Sequence, residues 1–205
     1  MDRRDFMTTS VAMAASLTAG RGLAARSDRV RLGVIGTGLR GQVLLQELLR
    51  RPDVEIAGLC DIEPLMLAKA LTQLEKAGRP RPLTWGQDRN PQAYKDMLDA
   101  KRLDGVIIAT PWEWHAPMAI DAMRAKVPVG CEVVAGMTLQ DHWDVLNTQL
   151  HTGTPYMLLE NVCFRRDVMA VLNMVRQGLF GELIHLQGGY QHDLRAVKFL
   201  SLIHI

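Results

Sequence analysis

Residues 30–41 read VRLGVIGTGLRG, an apolar run that ends in a glycine-rich turn. The helix-like stretch Gln42–Arg50 follows directly, so the order is strand, turn, helix. Gly36 allows the tight turn, Gly38 lets a pyrophosphate approach the backbone, and Gly41 lets the helix pack close to the strand. Amide groups at such a helix N-terminus face the phosphates. The pattern predicts a dinucleotide-binding βαβ unit.

A carboxylate follows the second predicted strand, Val54–Cys60. Asp61 lies about 20 residues beyond Gly41, where dinucleotide-binding folds place a carboxylate on the adenosine ribose hydroxyls. A carboxylate there repels the 2′-phosphate of NADP, and the next three residues, Ile62-Glu63-Pro64, contain no Arg or Lys. We therefore expect NAD as the cofactor.

Charge and hydropathy exclude several classes of partner. The chain has 24 Lys and Arg against 22 Asp and Glu, so there is no basic surplus for nucleic acid or anionic lipid. No apolar run approaches the roughly 20 residues of a membrane-spanning helix. Cys60, Cys131 and Cys163 each lie in or near an apolar run, and we expect buried thiols, not a disulfide or metal framework.

Short apolar runs alternate with amphipathic stretches from residue 30 onward, which is typical of βαβ units around a parallel sheet. The predicted strands are Val30–Ile35, Val54–Cys60, Leu83–Trp85, Leu103–Ala109, Val127–Cys131 and Tyr156–Leu159. The predicted helices are Gln42–Arg50, Glu63–Ala77, Pro91–Ala100, Ala116–Ala125, Thr138–His151 and Asp167–Gln177. The expected fold is α/β, a Rossmann-type doubly wound parallel sheet over residues 27–160. Residues 161–199, which include the extended run Leu183–Tyr190, are expected to begin a second α/β domain with an open sheet, cut off at residue 199.

The two ends of the chain are expected to differ from its body. Residues 1–26 contain Arg3-Arg4-Asp5-Phe6-Met7 and the weakly apolar Val11–Gly20, a pattern typical of a twin-arginine export signal. It predicts the export machinery as a partner and a periplasmic or exported location; a disordered start with a chance arginine pair is the alternative. Residues 200–205, LSLIHI, match the translation of a transposon end used to prepare sequencing libraries. We expect a non-native tail there, or else a genuine short strand.

Polar residues follow the carboxyl ends of the predicted strands. In an open parallel sheet these ends share one edge, and ligands bind in the crevice there. Residues of this kind are Gly36–Gly41, Asp61, Trp112-Glu113-Trp114-His115, Glu132 and Asn161. We expect them to form one site.

Each of these side chains has more than one interpretation. Trp112 and Trp114 could wall a nicotinamide pocket, with His115 as a hydrogen-bond donor or acid–base group, or could pack on their own domain at a helix N-terminus. Glu132 emerges from a buried strand and needs a partner, either a sugar or ribose hydroxyl or an ion pair. Asn161 could bind the nicotinamide amide or cap the next segment.

The last predicted strand ends in Gly188-Gly189-Tyr190-Gln191-His192-Asp193, where two glycines permit close approach of a ligand. Tyr190 needs a cationic or desolvated setting to act as a base, and is otherwise a plain sheet tyrosine. The spacing of His185, His192 and Asp193 matches no common metal site, so we expect no metal.

Residues 29–199 resemble the Gfo/Idh/MocA oxidoreductases. Within that family, they are most similar to the NAD-dependent α-N-acetylgalactosaminidases. The segments that carry the resemblance are Gly38-Leu39-Arg40-Gly41-Gln42, Pro111–His115, Glu132-Val133, Glu160–Ala170 and Gly188–Arg195. Many members have Glu-Lys-Pro after the fifth strand, and the lysine is catalytic. Here the sequence is Glu132-Val133-Val134, which argues against ordinary alcohol dehydrogenation.

The resemblance implies a set of contacts. NAD would touch Leu39, Arg40, Asp61, Trp112, Glu113, Trp114, His115, Glu132, Val133 and Asn161, beside the turn glycines. Tyr190 would touch the sugar, and Tyr190, Glu132 and His115 are the expected catalytic residues.

The implied activity is retaining hydrolysis of terminal α-linked N-acetylgalactosamine on a glycan. Hydride leaves C3, a base removes the C2 proton, the C1 substituent is eliminated, water adds to the same face, and the hydride returns, so NAD is not consumed. A sugar dehydrogenase or epimerase of the same superfamily, and a non-catalytic NAD- or sugar-binding protein, remain alternatives. Residues 27–199 alone are expected to be inactive and to associate through exposed apolar surface. A homo-oligomer of the full-length protein is compatible with the resemblance.

Overall fold

The computed structural model describes residues 29–100 and 103–189, together with residues 191 and 193. The proposed export signal at 1–26, Tyr190, His192 and the proposed tail at 200–205 therefore lie outside the described residues, and the expectations about them stay predictions.

Among the residues that the structure describes, six strands form one parallel sheet in the order β3-β2-β1-β4-β5-β6. The strands are β1 Val30–Ile35, β2 Val54–Cys60, β3 Leu83–Trp85, β4 Gly105–Ile108, β5 Val129–Cys131 and β6 Tyr156–Leu158. The helices are α1 Leu39–Leu49, α2 Pro64–Lys76, α3 Ala93–Asp99, α4 His115–Arg124, α5 Leu139–Thr152 and α6 Arg166–Arg176. Two short 3₁₀ turns, Trp112–Trp114 and Val162–Phe164, lie before α4 and α6. The predicted Rossmann-type fold is confirmed.

Helices cover both faces of the sheet. On one face, Val34 and Leu59 of the strands pack with Leu45 of α1 and Leu67 of α2. On the other, the buried strand residues pack with α3, α4 and α5; they include Ile35, Cys60, Val106, Ile108, Val129 and Cys131. The adjacent residues Val34 and Ile35 of β1 pack into opposite layers. Side chains of this strand thus alternate between two buried faces, as expected for a strand covered by helices on both sides.

The strand order reverses beside β1, which pairs with β2 on one side and β4 on the other. Ligands bind outside the carboxyl ends of the strands at such a reversal, because the two connecting loops diverge there. The topology therefore places a crevice after Ile35 and Ile108.

Several predicted boundaries are shifted in the structure. Helix α1 begins at Leu39, so Gly41 lies in its first turn instead of preceding the helix. Strand β5 begins at Val129 and not Val127, because the Val127 amide donates to Ala122 O and closes the end of α4.

Two other predictions are wrong. Cys60 and Cys131 are buried, but Cys163 is exposed, because it lies in a 3₁₀ turn after the last strand, where its thiol donates to Glu160 O. The run predicted as a strand from Leu183 forms none over 183–189, since no strand among the described residues pairs with it.

Within the described ranges, no helix combines the length and the apolar character needed to cross a bilayer.

Candidate cofactor site

The glycine turn has the geometry that a dinucleotide needs. Gly36 has φ +85°, and a Cβ there would lie 2.6 Å from Ala109 O. A Cβ on Gly41 would lie 2.0 Å from Gly36 O, so only glycine allows α1 to pack this closely on the turn. Gly38 is the N-cap of α1, and no side chain caps that helix. The first-turn amides are thus available for an anion such as a pyrophosphate.

The carboxylate of Asp61 lies beside this turn and is 7% exposed. Its Oδ2 accepts hydrogen bonds from Thr37 N at 2.6 Å and Thr37 Oγ1 at 2.9 Å, and its Oδ1 accepts one from Glu63 N at 2.8 Å. A carboxylate has about four acceptor positions, so about one remains for a ribose hydroxyl. Asp61 therefore fits the predicted role, with its orientation already fixed by the protein.

A cleft with about 730 Å³ of empty space, part of it open to solvent, extends from the turn along the edge of the sheet. It is lined by Ile35, Gly36, Gly38, Cys60, Asp61, Ile62, Pro91, Tyr94, Ala109, Thr110, Pro111, Glu113, Trp114 and Met118. Five of the predicted site residues, Gly36, Gly38, Asp61, Glu113 and Trp114, thus face one space. The lining is largely apolar, which suits the flat faces of an adenine or nicotinamide ring.

Two titratable groups that line the cleft are kept neutral. Burial raises the pKa of the Cys60 thiol to about 12, and the neighbouring Asp61 carboxylate adds to the rise. Burial also raises the pKa of the Tyr94 hydroxyl, helped by the hydrogen bond that it donates to Asp121 Oδ2 at 2.7 Å. Neither group is a base or nucleophile near neutral pH.

Glu132 forms an ion pair with Arg40, one of the two partners considered from the sequence. Arg40 Nε and Nη2 both lie 2.7 Å from Glu132 Oε1. Glu132 is 6% exposed and projects from the end of β5, whereas Arg40 lies in the first turn of α1. The pair joins the first turn of α1 to the end of β5. Oε2 accepts a hydrogen bond from Val133 N at 3.4 Å and has acceptor capacity left.

His115 is 1% exposed, and backbone carbonyls contact both of its ring nitrogens. Nδ1 lies 2.6 Å from Val134 O, and Nε2 lies 2.8 Å from Thr110 O. Proton transfer to a ligand would require breaking one of these contacts. The geometry thus favours a role in holding the loops after β4 and β5 together over the predicted acid–base role.

The remaining predicted residues are distributed around the crevice. Trp114 lines the cleft and packs against the core, whereas Trp112 is 45% exposed. Asn161 occupies the N-cap position of the second 3₁₀ turn without a capping hydrogen bond from its side chain, so its amide can serve a ligand. Tyr190 lies outside the described residues, and its sugar contact stays a prediction.

Sequence reasoning missed Thr37. It is fully buried within the glycine motif and supplies two of the three hydrogen bonds to Asp61. Its position between Gly36 and Gly38 was the available signal, because a side chain there points at the end of the neighbouring strand.

Among the described residues, no group of three or more His, Cys, Asp or Glu could hold a metal ion.

Two family profiles match the chain. Residues 30–154 match GFO_IDH_MocA, described as an oxidoreductase family with an NAD-binding Rossmann fold. Residues 164–204 match the C-terminal domain of glycosyl hydrolase 109. The first match confirms NAD as the cofactor that the turn and Asp61 predict.

Curated relatives of this chain include proteins named as glycosyl hydrolases of family 109 and as an alpha-N-acetylgalactosaminidase. A glycosyl hydrolase family 109 protein of Stenotrophomonas maltophilia strain K279a is 68% identical over 98% of this chain and 44% of its own length. An alpha-N-acetylgalactosaminidase of Tannerella forsythia is 48% identical over 88% of this chain and 39% of its own length. The chain thus spans less than half the length of these relatives.

Solved structures share the fold. Myo-inositol 2-dehydrogenase from Lactobacillus plantarum matches with a TM-score of 0.65 and 22% identity, over 76% of this chain and 43% of that one. Scyllo-inositol dehydrogenase from Lactobacillus casei, with bound NAD(H) and scyllo-inositol, matches with a TM-score of 0.64 and 17% identity, over 75% and 43%. At these identities the likeness shows the fold alone.

Proposed function

This chain belongs to the Gfo/Idh/MocA family of NAD-binding oxidoreductases, and from that premise we propose that it is the cofactor-binding part of an NAD-dependent retaining glycosidase. The proposed substrate is a glycan that ends in α-linked N-acetylgalactosamine. The observation that carries the proposal is the high identity to the Tannerella alpha-N-acetylgalactosaminidase. The match to the C-terminal domain of glycosyl hydrolase 109 supports it.

NAD, when bound, supplies a hydride acceptor that can take hydride from C3 of the sugar and return it, so that no net redox change accompanies hydrolysis. The protein has to hold NAD and the sugar and to orient them toward each other. The uncapped N-terminus of α1 would hold the pyrophosphate, Asp61 would accept a hydrogen bond from the adenosine ribose, and the apolar lining of the cleft would pack against the rings.

Glu132 is the charged group best placed to act beyond cofactor binding. Its backbone position at the end of β5 is the one where many family members are followed by a catalytic lysine, which is absent here. Arg40 holds Oε1 of this carboxylate, whereas Oε2 has only a long contact with Val133 N. We propose that Oε2 accepts a hydrogen bond from a hydroxyl of the nicotinamide ribose or of the sugar.

A sugar dehydrogenase or epimerase is the second candidate, and the match of residues 30–154 to an oxidoreductase family supports it. The two candidates differ in what happens to the hydride. A dehydrogenase releases it as NADH with each turnover, and an epimerase returns it without cleaving a glycosidic bond, whereas the glycosidase returns it to the sugar that it cleaves from the glycan.

Turnover of an aryl α-N-acetylgalactosaminide, with absorbance read at 340 nm for NADH, separates these candidates. The protein to test is this chain continued by the remaining C-terminal part of the Stenotrophomonas maltophilia relative. We expect release of the aryl group to depend on added NAD and to proceed without accumulation of NADH. NADH formed in proportion to sugar would favour the dehydrogenase, and NAD binding without turnover of glycosides or free sugars would favour a non-catalytic protein.

A further inference from the structure

We propose that Thr37 is a positioning residue for cofactor recognition. It fixes the Asp61 carboxylate in the one orientation that accepts the adenosine ribose of NAD and opposes the 2′-phosphate of NADP. The proposal rests on NAD binding by this domain and is independent of which glycan, or whether any glycan, is the substrate.

The first observation is the double hydrogen bond from one residue to one oxygen. Thr37 donates to Asp61 Oδ2 through its amide at 2.6 Å and its hydroxyl at 2.9 Å. Thr37 is fully buried and Asp61 nearly so, which means that water cannot replace either donor without a rearrangement. Hydrogen bonds to a charged acceptor are stronger than those between neutral groups, so the hydroxyl contributes to the orientation of the carboxylate.

The second observation is that Thr37 itself is held in place. Its carbonyl accepts a hydrogen bond from Gln42 Nε2 at 3.0 Å, and Gln42 Oε1 accepts one from Gln73 Nε2 at 3.2 Å. The turn is also tied to β2, since Gly36 N donates to Cys60 O at 2.8 Å. A chain of polar contacts thus runs from α2 through α1 to the turn, and Thr37 is its contact with the carboxylate.

The third observation concerns the charges around the carboxylate. Glu63 follows two residues later, and its amide holds Asp61 Oδ1 at 2.8 Å. Glu63 in turn faces Arg89, whose Nη2 lies 3.8 Å from Glu63 Oε2 and whose side chain is 70% exposed. A 2′-phosphate would therefore meet the fixed carboxylate of Asp61. The neighbouring guanidinium, that of Arg89, already faces Glu63.

Loss of the hydroxyl leaves Oδ2 with the backbone donor alone. The carboxylate then gains freedom to rotate away from the ribose, which weakens the bond to NAD and reduces the repulsion of NADP. The effect of Thr37 should appear only while residue 61 is a carboxylate.

The experiment is isothermal titration of the protein with NAD and with NADP for the variants Thr37→Val, Thr37→Ser and Asp61→Asn and for the double variant Thr37→Val/Asp61→Asn. We expect Thr37→Val to weaken NAD about 5- to 20-fold, at or below the lower end of the effect of losing a direct hydrogen bond to a charged group because Thr37 acts through Asp61, and to weaken NADP much less. Thr37→Ser keeps the hydroxyl and should stay within about 2-fold of the wild type. When Asp61→Asn is already present, adding Thr37→Val should have almost no further effect.

Thr72→Val is the matched control, because the Thr72 hydroxyl is exposed and donates only to Ala68 O within α2. It should leave both affinities unchanged. If Thr37→Val does not fold, Thr37→Ala removes the same hydroxyl in a smaller side chain and carries the same expectation. Equal weakening of NAD and NADP, a full effect of the Thr37 substitution in the Asp61→Asn protein, or failure of serine to restore NAD binding would each overturn the proposal in favour of a purely structural role.

Discussion

Replacing Gly41 with alanine is expected to destabilise the protein by more than about 3 kcal/mol and to abolish measurable NAD binding. The new Cβ would lie 2.0 Å from Gly36 O, which is a backbone atom and cannot rotate aside. Relief of the clash requires α1 to move away from the turn. That movement separates the first-turn amides from the place where the turn positions a pyrophosphate.

Thermal unfolding by circular dichroism and titration with NAD measure the two effects of this substitution. Gly188→Ala is the control, since a Cβ there meets nothing within 4 Å and Gly188 has no positive φ. A Gly41→Ala protein that unfolds at the wild-type temperature and binds NAD as tightly as the wild type would contradict the assignment of this turn.

Replacing Arg40 with methionine is expected to destabilise the protein by about 1–3 kcal/mol, because Glu132 is left as an unpaired charge that is 8% exposed in its side chain. We expect less than the full cost of a broken buried pair, since the Arg40 side chain is 40% exposed and water partly screens the interaction. Substituting Glu132→Gln in the Arg40→Met protein should recover most of the loss, because it removes the unpaired charge.

Chemical denaturation of the single and double variants measures this coupling. Arg50→Met is the control, because Arg50 pairs with Glu47 on the exposed surface of the protein, and it should change stability by less than about 1 kcal/mol. A double variant that is less stable than Arg40→Met alone would show that Glu132 does not depend on Arg40 for its stabilisation.

The sheet could be predicted closely because its signals are local. β1, β2 and β3 have the predicted bounds, since each apolar run stops at a glycine, a charged residue or a turn. The glycine turn between β1 and α1 could be predicted for the same reason, because its glycines lie within one short motif. The ends of helices were harder to predict. For example, the hydrogen bond from Val127 N to Ala122 O closes the end of α4 at the residue where the sequence predicted the start of β5.

The partners of the site residues could be predicted only in part. Arg40 and Glu132 are 92 residues apart in the chain, and their contact depends on β4 and β5 following β1 in the sheet. The sequence indicated that Glu132 needs a partner without indicating which one. His115 was correctly placed at the carboxyl edge of the sheet, but its two carbonyl contacts come from separate loops and leave no pattern in the sequence.

Hydrolysis in D₂O tests most directly the proposal that glycoside cleavage proceeds through oxidation at C3 and loss of the C2 proton. The protein is again this chain continued by the C-terminal part of the Stenotrophomonas maltophilia relative, and the released N-acetylgalactosamine is analysed by proton NMR and mass spectrometry. Removal of the C2 proton by a base, followed by its return from solvent, predicts one deuterium at C2 of the released sugar. Hydrolysis by paired carboxylates breaks no bond to the C2 hydrogen. Released sugar that keeps its original hydrogen at C2 would contradict the account.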